Sequence, residues 1–236
     1  MQFVHASVLP VPKFPSQNVF ENGALACSAV TLTMVHYMSG IATDGDLMNL
    51  KLEGIVKSGV ILYSMWKESK LVRDTTTPAV TSLLATSRDI LDMVSSMRTM
   101  LENKYAISET AGWVRLFDAR NDKLEDRANG AMLQSLENLC SELDEGEGFT
   151  VTVAIYTFLV WRTPRRWFLF DSHGLDDVED GRRNSIFVLV DSYQTVCAEL
   201  RRLWGRVAVP DHLGKLTFDY YSALVFRRKK PEIKNQ

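Results

Sequence analysis

Residues 149–173 read FTVTVAIYTFLVWRTPRRWFLFDSH, and this stretch decides the fold class. β-Branched and aromatic residues dominate from Phe149 to Trp161, which is typical of a buried strand. Thr163-Pro164-Arg165 predicts a turn, and Trp167 to Ser172 predicts a second strand that pairs with the first as a hairpin. The sequence therefore indicates an antiparallel sheet in this part of the chain.

Upstream of this hairpin, the apolar residues follow the period of a helix. Helices are predicted at Ala24 to Met38, Asp46 to Trp66 and Ala79 to Tyr105. Gly54 and Gly59 weaken the second of these predictions, because glycine destabilises a helix interior. Residues 41–112 are accordingly expected to be mostly helical.

Downstream of residue 112, strands and helices alternate. Strands are predicted at Trp113 to Phe117, Ser185 to Asp191 and Leu216 to Arg227. Two helices are predicted from apolar stripes: one begins at Asn129 and carries Met132, Leu133, Leu136, Leu139, Cys140 and Leu143, and the other carries Val196, Cys197, Leu200, Leu203 and Trp204. Helices first and an antiparallel sheet afterwards predict an α+β fold. We expect a single domain over 1–236, with a mostly helical part at 1–112 and a sheet-rich part at 113–236.

The composition excludes several classes of protein. Of the 236 residues, 46% are hydrophobic and 24% are charged, the balance of a folded chain rather than a disordered one. The net charge of −2 argues against a dedicated nucleic-acid-binding protein. The N-terminus lacks the basic segment of a signal peptide, and no apolar run is long enough for a membrane span. Three cysteines without a CxxC pair predict free thiols in a reducing compartment and no structural zinc site.

The cysteines differ in their surroundings. Cys140 and Cys197 each lie in an apolar helical stripe, which favours a core role. Cys27 follows the turn Glu21-Asn22-Gly23 and lies in the first turns of a helix, where the dipole and unpaired N–H groups stabilise a thiolate. Two interpretations of Cys27 stay open: a nucleophile, or one member of a buried stripe.

A nucleophilic thiol needs a basic partner, and the sequence has four histidines. His36 lies on the opposite side of the same helix from Cys27, so it cannot reach the thiol. His5 lies in a proline-rich segment and His212 in a turn. His173, at the end of a predicted strand, is the remaining candidate.

Asp171 precedes His173 by two positions. Side chains two apart on a strand point to the same face, so the carboxylate is within hydrogen-bonding reach of the imidazole. Such a bond fixes the imidazole tautomer and stabilises its cation. The alternative is that Asp-Ser-His-Gly is a polar exit from the strand, because Asp, Ser and Gly are turn formers.

A cysteine at a helix start and a strand-borne histidine far downstream match the general plan of papain-like cysteine hydrolases. Such an enzyme also needs a donor for the oxyanion. Gln17 and Asn22 are the available side chains upstream of Cys27.

Two short blocks of the sequence resemble a known family. Ser16-Gln17, Gly23 and Cys27-Ser28-Ala29, followed by Phe170-Asp171-Ser172-His173-Gly174, resemble the deubiquitinase domain of herpesvirus large tegument proteins and related tegument-like deubiquitinases. The resemblance implies a catalytic domain with a papain-like cysteine protease fold. It implies Cys27 as nucleophile and His173 as general base and then acid. It also implies Asp171 as the orienting partner of His173 and Gln17 as oxyanion donor.

The resemblance also implies a reaction and a partner. The reaction is hydrolysis of the peptide or isopeptide bond after the C-terminal glycine of ubiquitin, through a thioester. Because the ubiquitin tail is basic, acidic residues after His173 are candidates to contact it, and the alternative is a solvated acidic loop; they are Asp176, Asp177, Glu179 and Asp180. No cofactor, metal, nucleic acid or membrane is expected, and the expected location is the cytoplasm, or the host cytosol for a viral protein or bacterial effector.

Two other functions stay open from the sequence. One is a non-catalytic protein-interaction domain, in which Cys27 is a core residue and Asp-Ser-His-Gly is a turn. The other is a papain-like hydrolase that acts on a different ubiquitin-like modifier.

Overall fold

Helices cover both faces of one large sheet. The computed structural model describes residues 14–43, 46–47, 50–73, 85–115, 134–153, 156–173, 178–179, 182–207 and 218–230. Its helices are α1 (Cys27–Met38), α2 (Leu52–Arg73), α3 (Ser87–Met93), α4 (Ser95–Lys104), α5 (Leu136–Ser141) and α6 (Tyr193–Val207). Two 3₁₀ turns, Gln17–Val19 and Gly23–Leu25, precede α1. Among these described helices, none combines the length and the apolar character that a bilayer crossing requires.

The strands pair almost entirely antiparallel. They are β1 (Phe14–Pro15), β2 (Tyr105–Arg115), β3 (Gln134–Ser135), β4 (Gly148–Val153), β5 (Tyr156–Arg162), β6 (Trp167–Asp171), β7 (Val178–Glu179), β8 (Arg182–Val190) and β9 (Phe218–Arg228). Their order is β1-β8-β6-β5-β4-β9-β2-β3, with β7 beside β8. The pair β2–β3 is parallel and the other pairs are antiparallel. The predicted α+β class is confirmed.

The hairpin predicted around Thr163-Pro164-Arg165 is confirmed, with β5 and β6 paired from Arg162↔Trp167 to Phe158↔Asp171. The single strand predicted over residues 149–161 is wrong, because this run forms both β4 and β5. These two strands pair with each other, with Thr152 opposite Thr157. Strands buried on both faces form continuous apolar runs, so the side-chain pattern does not mark the reversal between them.

The predicted helix Ala79 to Tyr105 is also corrected. Its described part is two helices, α3 and α4, and strand β2 begins at Tyr105 rather than at Trp113. Pairing with β9 along the whole length of β2 outweighs the local helical pattern. The ring of Tyr105 lies edge-on to Trp161 and Phe226, which anchors the start of β2.

Other predicted elements differ mainly at their ends. Helix α2 runs through Gly54 and Gly59. Gly59 lies against α1, where an added Cβ would come within 2.3 Å of the Cα of Val30, so the glycine permits close helix packing. The helix predicted from Asn129 is described only as α5, and residues 129–133 lie outside the described residues.

The sheet separates two hydrophobic cores, one on each of its faces. One packs α1–α4 against side chains such as Leu159, Trp161 and Phe170. The other packs α5 and α6 against the opposite face and contains Cys140 and Cys197, whose sulfurs are 3.7 Å apart. Both of these cysteines are buried core residues, as predicted. Helix α1 is buried along most of its length, and its first residue, Cys27, lies against β5.

Candidate active site

Cys27 lies at the N-terminal end of a buried helix. It is the first residue of α1 and is 4% exposed. The helix was predicted to start at Ala24, but residues Gly23–Leu25 form a separate 3₁₀ turn. The thiol is therefore at the end of α1 itself, where unpaired N–H groups and the helix dipole stabilise negative charge.

His173 and Asp171 meet in a turn that follows β6. Strand β6 ends at Asp171, whose Oδ1 accepts a hydrogen bond from the backbone N–H of His173 at 2.8 Å. The same oxygen lies 3.2 Å from Nδ1 of the His173 ring. The predicted contact between Asp171 and His173 is present. It arises from a turn in which the Asp171 side chain accepts from the backbone of His173, and not from the alternation of side chains along a strand.

The turn formed by Asp171, Ser172 and His173 at the end of β6 is buried. Asp171 and Ser172 are fully buried, and His173 is 4% exposed. Buried polar side chains require partners, because an unpaired one costs about 1–3 kcal/mol. These three residues find those partners in Cys27, Gln17 and one another.

The titrations of Cys27 and His173 are linked. Burial alone would raise the pKa of the Cys27 thiol, but the hydrogen bond and charge of His173, followed by hydrogen bonds from Thr157, lower it. Burial would lower the pKa of His173, yet hydrogen bonds to Asp171 and Cys27 and their charges raise it to about 9. The two shifts favour a thiolate beside an imidazolium, which is the reactive form of a cysteine nucleophile.

Tyr156, on β5, covers one side of this pair. Its ring lies 4.6 Å from the ring of His173, centroid to centroid. The two ring planes are tilted by 59°. The half-buried Tyr156 therefore packs against the imidazole of His173.

Gln17 is held beside the Asp171–His173 turn by Ser172. Its backbone N–H donates to the Ser172 carbonyl at 3.0 Å, and its Oε1 accepts from Ser172 Oγ at 2.6 Å. Because the hydroxyl occupies Oε1, the orientation of the amide is fixed. Within the described part of the chain, Gln17 Nε2 is a buried donor without a hydrogen-bond partner.

Gly23 permits the close packing of the Gln17 segment before α1. A Cβ at Gly23 would lie 1.8 Å from the Gln17 carbonyl oxygen, so no other residue fits there without displacing the segment. Asn22, the second candidate oxyanion donor, is exposed and adopts a left-handed conformation with φ 62°. Its Oδ1 accepts from Lys67 Nζ at 2.9 Å, so Asn22 shapes the turn and Gln17 remains the candidate.

The predicted acidic contact residues fall mainly outside the described residues. Asp176, Asp177 and Asp180 lie there, and only the backbone of Glu179 is described, in β7. Among the described residues, no group of three or more His, Cys, Asp or Glu side chains is arranged to hold a metal ion.

Sequence reasoning missed four residues of this site: Ser16, Tyr156, Thr157 and Ser172. Ser16 Oγ donates to the carbonyl of His173 at 2.9 Å and so ties the Gln17 segment to the Asp171–His173 turn. These residues lie in ordinary strand or turn positions of the sequence. Ser16 and Ser172 carried a signal, because both lie in the two blocks of sequence that resemble tegument deubiquitinases.

The architecture is that of a papain-like cysteine protease, with a helical part packed on a mainly antiparallel sheet. It is similar to the ubiquitin-specific protease encoded by murine cytomegalovirus tegument protein M48, whose crystal structure contains a ubiquitin-based suicide substrate. The two are 14% identical and align with a TM-score of 0.57, over 96% of this chain and 89% of that chain. This likeness confirms the predicted papain-like fold.

A second solved structure, the Pseudomonas avirulence protein AvrPphB, aligns less well. It is 12% identical, with a TM-score of 0.42 over 92% of this chain and 96% of that chain, which is too low to establish a shared fold. No protein-family model matches the sequence, and no curated protein matches it significantly.

Proposed function

We propose that this chain is a cysteine protease that hydrolyses the bond after the C-terminal glycine of ubiquitin. The observation that carries the proposal is the buried Cys27–His173–Asp171 arrangement at the N-terminus of α1. A lowered thiol pKa beside a raised imidazole pKa is the electrostatic requirement of a cysteine nucleophile. A core cysteine with no catalytic role has no need of either shift.

Acylation uses Cys27 and His173 in turn. The Cys27 thiolate attacks the carbonyl carbon of the glycine, and a C–S bond forms as the carbonyl oxygen becomes an oxyanion. Because Asp171 occupies Nδ1, His173 uses Nε2 to donate its proton to the leaving lysine amine. The C–N bond breaks, and a thioester and a neutral His173 remain.

The oxyanion needs donors that are already in place. Gln17 Nε2 supplies one, because Ser172 fixes the amide with its oxygen engaged and its nitrogen free for substrate. The backbone N–H of Cys27, at the start of α1, supplies the second.

Deacylation reverses the role of His173. The neutral imidazole takes a proton from water, and the resulting hydroxide attacks the thioester carbonyl. The C–S bond breaks and releases the glycine carboxylic acid, which gives up its proton to solvent. Cys27 leaves as a thiolate and His173 is again an imidazolium, so the charge-separated pair is restored.

Ubiquitin as the substrate is supported by the shared fold with a ubiquitin-specific protease and by the two sequence blocks that resemble tegument deubiquitinases. We propose the acidic residues after His173 as contacts for the basic ubiquitin tail; they are Asp176, Asp177, Glu179 and Asp180. A deubiquitinase of this kind acts where ubiquitin conjugates occur, in the cytosol.

The test is hydrolysis of a fluorogenic amide on the C-terminal glycine of ubiquitin, beside the same amide on other ubiquitin-like modifiers. We expect ubiquitin to be the preferred substrate. Cleavage of a different modifier alone would keep the mechanism and contradict the substrate. No cleavage of any modifier, together with a Cys27 that is inert to iodoacetamide, would contradict the enzyme and favour an interaction domain.

The pH dependence of activity follows from the pKa shifts. The imidazolium of His173 exists below its pKa, so kcat/KM should fall as pH rises through about 9. The acidic limb should lie below the ordinary thiol pKa of ~8.5, because the pKa of Cys27 is lowered. Asp171→Asn removes one of the charges that raise the pKa of His173, so the alkaline limb should move down by about 1 pH unit or more.

A matched control is Asp191→Asn, which changes an exposed aspartate paired with Arg166. Its pH profile should coincide with that of the wild type. An alkaline limb that stays in place in Asp171→Asn would show that Asp171 does not stabilise the imidazolium.

A further inference from the structure

Thr157 lies directly beneath the reactive sulfur. It is fully buried on β5, with Oγ1 3.6 Å from Cys27 Sγ. Two other hydroxyls contact the same oxygen, Ser28 Oγ at 2.9 Å and Thr152 Oγ1 at 3.0 Å. Thr31 Oγ1 on α1 donates to the Thr157 carbonyl at 3.3 Å, which links the backbone of Thr157 to α1.

The hydrogen-bonding capacity of a hydroxyl assigns these contacts. A threonine hydroxyl donates one proton and accepts two. When Cys27 is a thiolate, its sulfur accepts only, so the three contacts are all satisfied in one arrangement. Ser28 and Thr152 donate to Thr157, and Thr157 donates to the sulfur.

We propose that Thr157 is a polar contact of the nucleophile in addition to His173, and that its hydroxyl donates a hydrogen bond to the Cys27 thiolate. This inference rests on the proposed role of Cys27 as the nucleophile and adds a residue to that site. It also explains why three hydroxyls from α1, β4 and β5 meet at this point. Ser28 and Thr152 donate to Thr157, which leaves the Thr157 proton for the sulfur.

The proposed bond has two opposed effects on reactivity. It increases the fraction of thiolate at low pH, in agreement with the contribution of Thr157 to the lowered pKa of Cys27. It also withdraws electron density, because the nucleophilicity of a thiolate falls with its pKa, with a Brønsted coefficient of about 0.4–0.5. Removing the bond should therefore slow the reaction of Cys27 at low pH and accelerate it at high pH.

Two titrating groups interact electrostatically with Cys27: His173, beyond the end of β6, and Tyr63, on α2. Burial, followed by the charge of Cys27, raises the pKa of Tyr63 above its ordinary value of about 10, so the phenol is mainly neutral below that pH. His173 is unchanged in every variant below.

The experiment compares the rates of Cys27 alkylation by iodoacetamide from pH 5 to 10, measured on the intact protein and assigned to Cys27 by peptide mass. Thr157→Val removes the hydroxyl and keeps the shape, whereas Thr157→Ser keeps the hydroxyl. The control is Thr150→Val, which makes the same chemical change at a different buried threonine, on β4. Ser28→Ala/Thr157→Val serves if the single valine variant fails to fold, since it leaves no Ser28 hydroxyl unpaired.

We expect the Thr157→Val profile to cross that of the wild type. A pKa rise of about one unit, combined with that Brønsted coefficient, makes alkylation about threefold slower on the acidic side and about threefold faster on the alkaline side. Thr157→Ser and Thr150→Val should follow the wild type. A merely structural role would slow alkylation at every pH, and either that result or an unchanged profile would overturn the inference.

This outcome is separate from that of the proposed function, because alkylation involves no ubiquitin. Crossing profiles in a protein that does not react with ubiquitin would retain Thr157 and reject the substrate. If the protein reacts with ubiquitin but the Thr157→Val and wild-type profiles coincide, the substrate is retained and the role of Thr157 is rejected. A wild-type Cys27 that is inert at every pH would overturn both.

Discussion

His173→Ala is expected to lower kcat/KM for a ubiquitin C-terminal amide by about 10³-fold or more. Two contributions disappear with the imidazole. The thiolate loses the hydrogen bond and charge that most lower its pKa, and the leaving amine loses its proton donor. Initial rates with a fluorogenic ubiquitin amide measure the loss.

A change of leaving group separates these two contributions. An activated thioester of ubiquitin needs no protonation to leave, so His173→Ala should impair its hydrolysis less than that of the amide. His36→Ala is the matched control, because His36 lies in the last turn of the same helix, away from the thiol. It should remain within about twofold of the wild type. Retention of most amidase activity in His173→Ala would contradict the assignment of His173 as the general acid.

Gln17→Ala is expected to lower kcat by about 10²-fold and to leave KM nearly unchanged. An oxyanion donor interacts with charge that develops only in the transition state, so its loss does not weaken substrate binding. The structure provides for this role by burying Gln17 and engaging its Oε1 with Ser172, which leaves Nε2 for the substrate. Steady-state kinetics with the ubiquitin amide resolve kcat from KM.

Ser172→Ala tests how Gln17 is oriented. Without the hydroxyl, the amide of Gln17 is free to turn over, so we expect a loss in kcat of about tenfold, smaller than that of Gln17→Ala. In the double variant the two losses should not add, because Ser172 acts through Gln17. Ser185→Ala is the control, since it removes a hydroxyl that donates to the Ser172 carbonyl and leaves the Ser172 hydroxyl in place. Wild-type kcat in Gln17→Ala would contradict this account of the oxyanion site.

The strongest local patterns in the sequence predicted the framework correctly. The hairpin around Thr163-Pro164-Arg165 and the helix that starts near Cys27 both follow from short-range signals, a turn sequence and an apolar period. The meeting of Asp171 and His173 was also predictable, because two residues so close in sequence cannot lie far apart. Its detailed cause, a turn closed by the Asp171 carboxylate, was not.

Contacts between distant parts of the chain could not be predicted. The role of Thr157 depends on α1 packing against β5, and that of Ser172 depends on the Gln17 segment lying beside the end of β6. Threonine and serine at these positions are ordinary strand and turn residues in the sequence. The start of β2 at Tyr105 was missed for the same reason, since its partner is β9.

The most direct test of the central claim is incubation with ubiquitin that carries a C-terminal propargyl group, followed by intact mass measurement. The alkyne stands at the position of the scissile carbonyl and captures a thiolate that attacks there. We expect the wild-type protein to gain the mass of one ubiquitin and Cys27→Ala to gain none, with Cys140→Ala labelled like the wild type. An unlabelled wild-type protein, or a Cys27→Ala protein that is still labelled, would contradict the account.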